Sequence, residues 1–127
     1  MTMDGRACPC GLGDDYDACC GRLHAGAAAP TAEALMRARY TAFAVGDPGY
    51  LTGTYHSSSR PEVFSLDPSI EWTRLAVLET TGGGLFDDVG TVQFRAVYGR
   101  DGKRGVHAET SRFAREDGRW TYVGPAD

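Results

Sequence analysis

The sequence predicts an α+β fold in which helices come first and an antiparallel sheet follows. Residues 31–55 repeat apolar side chains at helical spacing, whereas residues 70–123 are rich in β-branched and aromatic residues. Glycine-containing turns divide this second part into four strand-like runs, a pattern typical of consecutive hairpins. Helices followed by hairpins predict that the helices pack on one face of the sheet. The 127 residues suit one domain at 31–127, preceded by a small appendage at 1–30.

All four cysteines of the chain lie in the appendage. They are Cys8, Cys10, Cys19 and Cys20. A C-x-C pair followed by a C-C pair can surround one tetrahedral ion with four thiolates, and Zn²⁺ is the usual ion in an all-sulfur site. Gly11 and Gly13 allow the chain to fold back between the two pairs. We therefore predict a zinc knuckle with a structural four-cysteine zinc site.

Two disulfides are the alternative use of four cysteines. Residues 1–7 lack the apolar segment of a secretory signal, and the neighbours Cys19 and Cys20 are poorly placed to pair with each other. No run approaches the roughly 20 consecutive apolar residues of a membrane span. These observations favour a cytoplasmic protein with reduced thiols and without a membrane segment.

A short helix is predicted at the end of the knuckle. Asp14 is the expected cap of a helical segment over Asp15–Cys20, which would present Cys19 and Cys20 to the ion. Residues 22–30 show no periodicity and are interpreted as a linker. His24 lies in this linker, and it is not expected to bind the ion because Cys20 already completes the tetrahedron.

Two helices are predicted after the linker. The first begins after a Thr31 cap and runs to about Val45, and the second begins at Asp47-Pro48 and runs to about Tyr55. The apolar positions at spacing i, i+4, i+7 on the first helix are Met36, Tyr40 and Phe43.

The second half is predicted to form a four-stranded antiparallel meander. The strands expected are Ile70–Thr81, Val89–Tyr98, Arg104–Arg115 and Arg119–Val123. On the third strand, alternation places His107, Glu109, Ser111 and Phe113 on one face. If Phe113 points inward, Glu109 and Ser111 point inward with it.

Two parts of the chain resemble known families. The run Cys8-Pro9-Cys10-Gly11-x-Gly13, followed by Cys19-Cys20-Gly21, resembles the SEC-C knuckle, in which the last ligand is commonly histidine and here is Cys20. Five further runs resemble the bacterial YchJ family: Leu35–Phe43, Tyr50-Leu51, Thr54–His56, Glu109–Phe113 and Asp117–Trp120. The resemblance implies a domain similar to nuclear transport factor 2 after the knuckle, in which helices pack on a curved antiparallel sheet to form a cone. It implies no established activity.

A cone of this kind leaves an inner cavity, in which polar side chains need partners. The candidate cavity residues are Tyr40, His56, Trp72, Glu109 and Ser111. One interpretation is a small isomerase or hydrolase in which Glu109 acts as general acid or base, assisted by His56 or Tyr40. The other is that Glu109 and Ser111 satisfy buried groups, or that Glu109 pairs with Arg39. Because no recognised catalytic motif is present, we favour a binding or scaffolding protein over an enzyme.

The charge of the chain bears on its partners. The formal net charge is −4, and four thiolates with one Zn²⁺ would lower it to about −6. This charge would lie beside Asp14, Asp15 and Asp17, which disfavours nucleic acid at the knuckle.

An unidentified protein partner at the knuckle and a small-molecule ligand in the cone remain the expected classes of partner. An adaptor that uses the knuckle alone would bind its partner through residues 1–30. The sequence allows a monomer or a homodimer.

Overall fold

The computed structural model describes residues 6–62 and 64–126 and has the predicted α+β order. After a 3₁₀ turn at Tyr16–Ala18 come three helices, α1 (Cys20–His24), α2 (Ala32–Val45) and α3 (Pro48–Gly53). Four strands follow, β1 (Ile70–Gly82), β2 (Val89–Arg100), β3 (Lys103–Glu116) and β4 (Arg119–Pro125). No helix in these two described ranges combines the length and the apolar character that crossing a membrane requires.

The caps of α2 and α3 are as the sequence predicts. Thr31 accepts a hydrogen bond from the Ala34 backbone N–H, and Asp47 accepts one from Tyr50 N–H. Gly46 ends α2 in the left-handed conformation, with φ of 80°. Each cap satisfies a backbone group that the helix end would otherwise leave unpaired.

The helical content of the knuckle differs from the prediction. The predicted continuous helix at Asp15–Cys20 is wrong, and so is the Asp14 cap, because Asp15 precedes the 3₁₀ turn and makes no side-chain capping bond. Cys19 has φ of −123° and ψ of −114°, which interrupts the helical path before α1. Helix α1 occupies the first residues of the predicted linker, and its Leu23 is buried in the hydrophobic core.

The four strands form one antiparallel sheet in the order β1-β2-β3-β4. Two of its connections are Asp-Gly turns, at Asp101-Gly102 and Asp117-Gly118, in which all four residues have φ between 52° and 81°. Such positive φ values match the twist of a two-residue hairpin. The register shifts within β1 and between Arg112 and Phe113 of β3, and bulges of this kind bend and twist a sheet.

Helix α2 packs across the sheet, and the segment after α3 is tied to the last strand. Residues of α2 contact β1, β2 and β4. Thr54 accepts a hydrogen bond from Tyr122 N–H, and Tyr122 in turn accepts one from His56 N–H, both at 2.8 Å. Helix α2 therefore lies against one face of the sheet, and Tyr55 is among the residues that line the space between them.

Candidate metal centre and inner cavity

The four cysteine sulfurs converge on one point. Each is free of a disulfide, and all four Sγ atoms lie within 4.8 Å of one another. A tetrahedral zinc site with bonds of about 2.3 Å has sulfurs about 3.8 Å apart. The Sγ atoms of Cys10 and Cys19 are separated by 3.6 Å, which is far longer than a disulfide bond. The donor set and its spacing fit a tetrahedral metal ion.

Local backbone structure holds the knuckle in this shape. An isolated bridge pairs Ala7 with Asp15, and Cys8 N–H donates to the Asp14 carbonyl at 2.8 Å. Gly11 and Gly13 both have positive φ, 87° and 98°, so the chain reverses between the two cysteine pairs.

The knuckle is part of the core. Cys8, Cys10 and Cys20 are buried in the same hydrophobic cluster as residues of α2 and the sheet. Thr41 of α2 is fully buried, and its hydroxyl donates to Cys20 Sγ at 3.4 Å. Arg37 of the same helix donates to the Cys10 carbonyl at 2.9 Å and pairs with Glu33. Two side chains of α2 therefore connect this helix directly to the cysteine loop.

His24 lies outside the sulfur cluster, as expected. Its Nε2 donates to the Ala38 carbonyl at 2.9 Å, which leaves Nδ1 to accept from the Tyr16 hydroxyl at 2.7 Å. With both ring nitrogens engaged, His24 joins α1 to α2 and has no lone pair left for an ion.

The cysteines of the cluster shift one another's pKa in opposite directions. Hydrogen bonds from the Cys10 and Cys20 thiols lower the pKa of Cys8, whereas burial raises the pKa of Cys19 to about 12. Hydrogen bonding to Cys10 and Cys8 raises the pKa of Cys20 well above its ordinary value. Because neighbouring thiolates repel one another, a cation is needed for all four to ionise together.

A second feature is a cavity of about 460 Å³ between α2 and the inner face of the sheet. Eight of the sixteen residues that line it are aromatic, so its walls are largely apolar. These eight are Tyr40, Phe43, Tyr55, Phe64, Trp72, Phe94, Tyr98 and Tyr122. The volume lies within the roughly 300–1,000 Å³ typical of small-molecule sites.

Four of the five candidate cavity residues line this space. They are Tyr40, Trp72, Glu109 and Ser111. The fifth, His56, is not in the lining: its Nδ1 lies 2.8 Å from the Ser58 hydroxyl, and its backbone is paired with Tyr122. The placement of His56 in the cavity was wrong because the chain after α3 runs along β4 and carries Tyr55, not His56, to the cavity.

Glu109 is held by hydroxyl groups. Its Oε2 accepts hydrogen bonds from Ser111 at 2.6 Å and from Tyr122 at 2.8 Å, and its Oε1 lies 3.3 Å from Nε2 of His107. The Glu109 side chain is 15% exposed. Of the two non-catalytic interpretations, the one in which Glu109 accepts hydrogen bonds from hydroxyl groups describes its contacts. The other, an ion pair between Glu109 and Arg39, is not formed.

Arg39 is the cavity residue whose surroundings the sequence did not predict. It is 5% exposed, and its Nη1 donates to the Leu51 carbonyl at 2.8 Å and to the Thr54 hydroxyl at 2.7 Å. Its Cζ lies 4.6 Å from the ring centre of Tyr122 and 5.2 Å from that of Tyr55. Burial lowers the pKa of Arg39 to about 10. Residues two apart on a strand share a face, so Trp120 and Tyr122 of the fourth strand lie on the same side. This alternation is the sequence signal that could have placed a tyrosine beside Arg39.

The buried tyrosines predict a loss of stability at alkaline pH. Burial raises the pKa of Tyr50 to about 12, and burial together with the bond to Glu109 raises that of Tyr122. A raised folded pKa gives stability that is complete below pH ~10, the unfolded value, and is lost above it. We expect the melting temperature to fall from pH 10 upward, and to fall less steeply in Tyr122→Phe. An equal slope in the variant and the wild type would contradict this assignment.

Comparison with known proteins gives consistent matches along the chain. A family model described as the YchJ middle NTF2-like domain matches residues 31–125, and a SEC-C motif model matches residues 7–22. A UPF0225 protein from Streptomyces coelicolor is 53% identical over 117 residues, which cover 91% of each chain. Another from Corynebacterium glutamicum is 51% identical over 119 residues, covering 93% of this chain and 94% of that protein.

Two solved structures have the same fold. The solution structure of a SEC-C motif containing protein from Rhodopseudomonas palustris has a TM-score of 0.81 and 34% identity, covering 95% of this chain and 99% of that one. The crystal structure of a SEC-C motif containing protein from Psychrobacter arcticus also has a TM-score of 0.81, with 25% identity over 99% of this chain and 85% of that one.

Proposed function

The chain belongs to the YchJ family, with an NTF2-like domain and a SEC-C motif, and from this premise we propose that it is a zinc-stabilised binding protein. One observation carries the proposal: the four sulfurs cluster within 4.8 Å and are built into the core beneath α2. In this role the ion is structural. Four thiolates complete its tetrahedron and leave no open position for water or substrate.

Four thiolates in a tetrahedral arrangement favour zinc or an iron centre over hard cations such as Mg²⁺. Zinc is the proposed metal because it is the usual ion of structural four-cysteine sites. The ion would supply the positive charge that allows all four thiols to ionise in a buried setting. Thr41 would then donate its hydrogen bond to a thiolate, and partners of this kind orient metal ligands and increase metal affinity.

The contacts between knuckle and α2 support a structural role over that of an independent adaptor. An adaptor needs the knuckle alone, but here three of the four cysteines are buried against the rest of the chain. The binding function is assigned to the inner cavity, whose aromatic walls suit a small organic ligand.

The alternative is an enzyme with Glu109 as general acid or base. The position of Glu109 in the cavity wall favours it. Binding accounts better for the contacts, because Oε2 already accepts two hydroxyl hydrogen bonds and His56 lies elsewhere.

Metal content tests the proposal. We expect protein purified under reducing conditions to contain one zinc per chain by elemental mass spectrometry. Thiol titration of the folded protein should find few reactive thiols, and four after chelation. Protein without metal whose thiols remain unreactive after denaturation would indicate disulfides and contradict the proposal.

A further inference from the structure

Arg39 has no carboxylate in direct contact among the described residues. It is only 5% exposed, yet within residues 6–62 and 64–126 no carboxylate lies within 4.0 Å of its guanidinium. Its two hydrogen-bond acceptors, the Leu51 carbonyl and the Thr54 hydroxyl, are neutral. Buried charges are normally paired, because desolvation of an isolated ion is costly. The lowered pKa of Arg39 has the same cause.

One edge of the Arg39 guanidinium has no hydrogen-bond acceptor among the described residues. The rings of Tyr55 and Tyr122 lie close to the guanidinium, and both hydrogen bonds to protein use Nη1. Nε–H and Nη2–H, which point in the same direction from one edge of the group, have no acceptor in the described part of the chain. Two parallel N–H groups match the two oxygens of a carboxylate. Because Arg39 lines the cavity, a ligand held there can reach this side chain.

The acidic group in the same cavity is already satisfied. Glu109 has three hydrogen-bonding neighbours, two hydroxyls on Oε2 and the His107 ring near Oε1. The described residues place no carboxylate within 4.0 Å of Arg39, so a negatively charged group of a ligand can take that position. Glu109 repels any anion in the cavity, and it repels a monocarboxylate less than a doubly charged phosphate.

We propose that the cavity binds a small monocarboxylate with an aromatic body, whose carboxylate pairs with Nε and Nη2 of Arg39. The aromatic walls, which include Phe43, Trp72 and Tyr98, would pack against the body of the ligand. This proposal rests on the proposed function of the cavity as a binding site, and it adds the chemical class of the ligand.

The test compares two probes of the same size. 2-Naphthoate carries the carboxylate, and 2-naphthamide replaces it with a neutral amide. Both are titrated into the ¹⁵N-labelled, metal-loaded full chain, and the side-chain N–H signals of Arg39 and Trp72 are followed by NMR. We expect naphthoate to shift both signals and to bind at least tenfold more tightly than naphthamide.

Variants separate the effect of the two parallel N–H groups of Arg39 from the effect of its positive charge. Arg39→Lys keeps the positive charge but loses the paired N–H groups, so the preference for naphthoate should fall below threefold. Should that variant fail to fold, Glu109→Gln provides the second test: it removes a nearby negative charge and should increase the preference for naphthoate over naphthamide. Phe86→Ala, at a residue that is 96% exposed and outside the cavity lining, should leave both affinities unchanged.

The outcomes distinguish this proposal from the proposed function. If both probes bind in the cavity with equal affinity, or if naphthoate binds without shifting the Arg39 signal, the carboxylate proposal is wrong and the binding function stands. A preference for naphthoate that falls in Glu109→Gln would also overturn it. If neither probe shifts any cavity signal, the binding function of the cavity fails together with this proposal, while the metal site is judged separately by zinc content.

Discussion

Cys20→Ser is expected to abolish stoichiometric metal binding and to lower the free energy of unfolding of the whole chain by at least about 3 kcal/mol. Structural zinc sites in small peptides contribute about 10–16 kcal/mol of folding free energy, and removing one thiolate forfeits a large share of it. Cys20 is 2% exposed and accepts the Thr41 hydrogen bond, so the damage should extend into α2. Metal content by elemental mass spectrometry and denaturant unfolding followed by circular dichroism measure the two effects.

Leu12→Ser is the matched control for this variant. Leu12 lies in the same loop but is 55% exposed and offers no metal ligand, so the control should keep its metal and its stability to within about 0.5 kcal/mol. If Cys20→Ser kept one metal ion per chain and wild-type stability, Cys20 would not be a ligand and the four-cysteine site would be wrong.

Arg39→Met is expected to lower the free energy of unfolding by about 2–4 kcal/mol. The substitution leaves the Leu51 carbonyl without its charged donor and removes the contacts with two tyrosine rings. A lost hydrogen bond from a charged group costs about 1.5–3 kcal/mol, and a cation–π contact adds about 0.5–2 kcal/mol. Relief of guanidinium desolvation offsets part of this loss.

Arg74→Met controls for the loss of positive charge, because Arg74 is exposed on β1. Urea unfolding of the two variants at the same pH and metal content gives the comparison. A loss below about 0.5 kcal/mol in Arg39→Met, equal to that of the control, would show that the contacts of Arg39 with Leu51 and the two tyrosine rings do not stabilise the fold.

The elements that the sequence predicted best are those with strong local signals. Thr31 and Asp47 sit at the caps that their side chains require, and the Asp-Gly pairs form the hairpin turns between β2, β3 and β4. The inward face of β3 followed from alternation alone, since Glu109 and Ser111 both line the cavity. In these cases neighbours in sequence determine the conformation.

The features that the sequence did not predict depend on contacts between distant segments. Helix α1 buries only Cys20 and Leu23, which is too few to give a periodic pattern. The interruption at Cys19 occurs where four sulfurs from two separate cysteine pairs converge, and local helix propensity contains no information on such a convergence. The placement of Tyr55 instead of His56 follows from the pairing of the chain after α3 with Tyr122.

The most direct test of the metal as part of the core is hydrogen exchange of the full chain before and after zinc chelation. The contacts of Thr41 with Cys20 and of Arg37 with Cys10 predict that chelation lowers the protection of the α2 amides as well as those of residues 6–24. Loss of protection confined to residues 6–24, with α2 and the sheet unchanged, would contradict the account and make the knuckle an independent appendage.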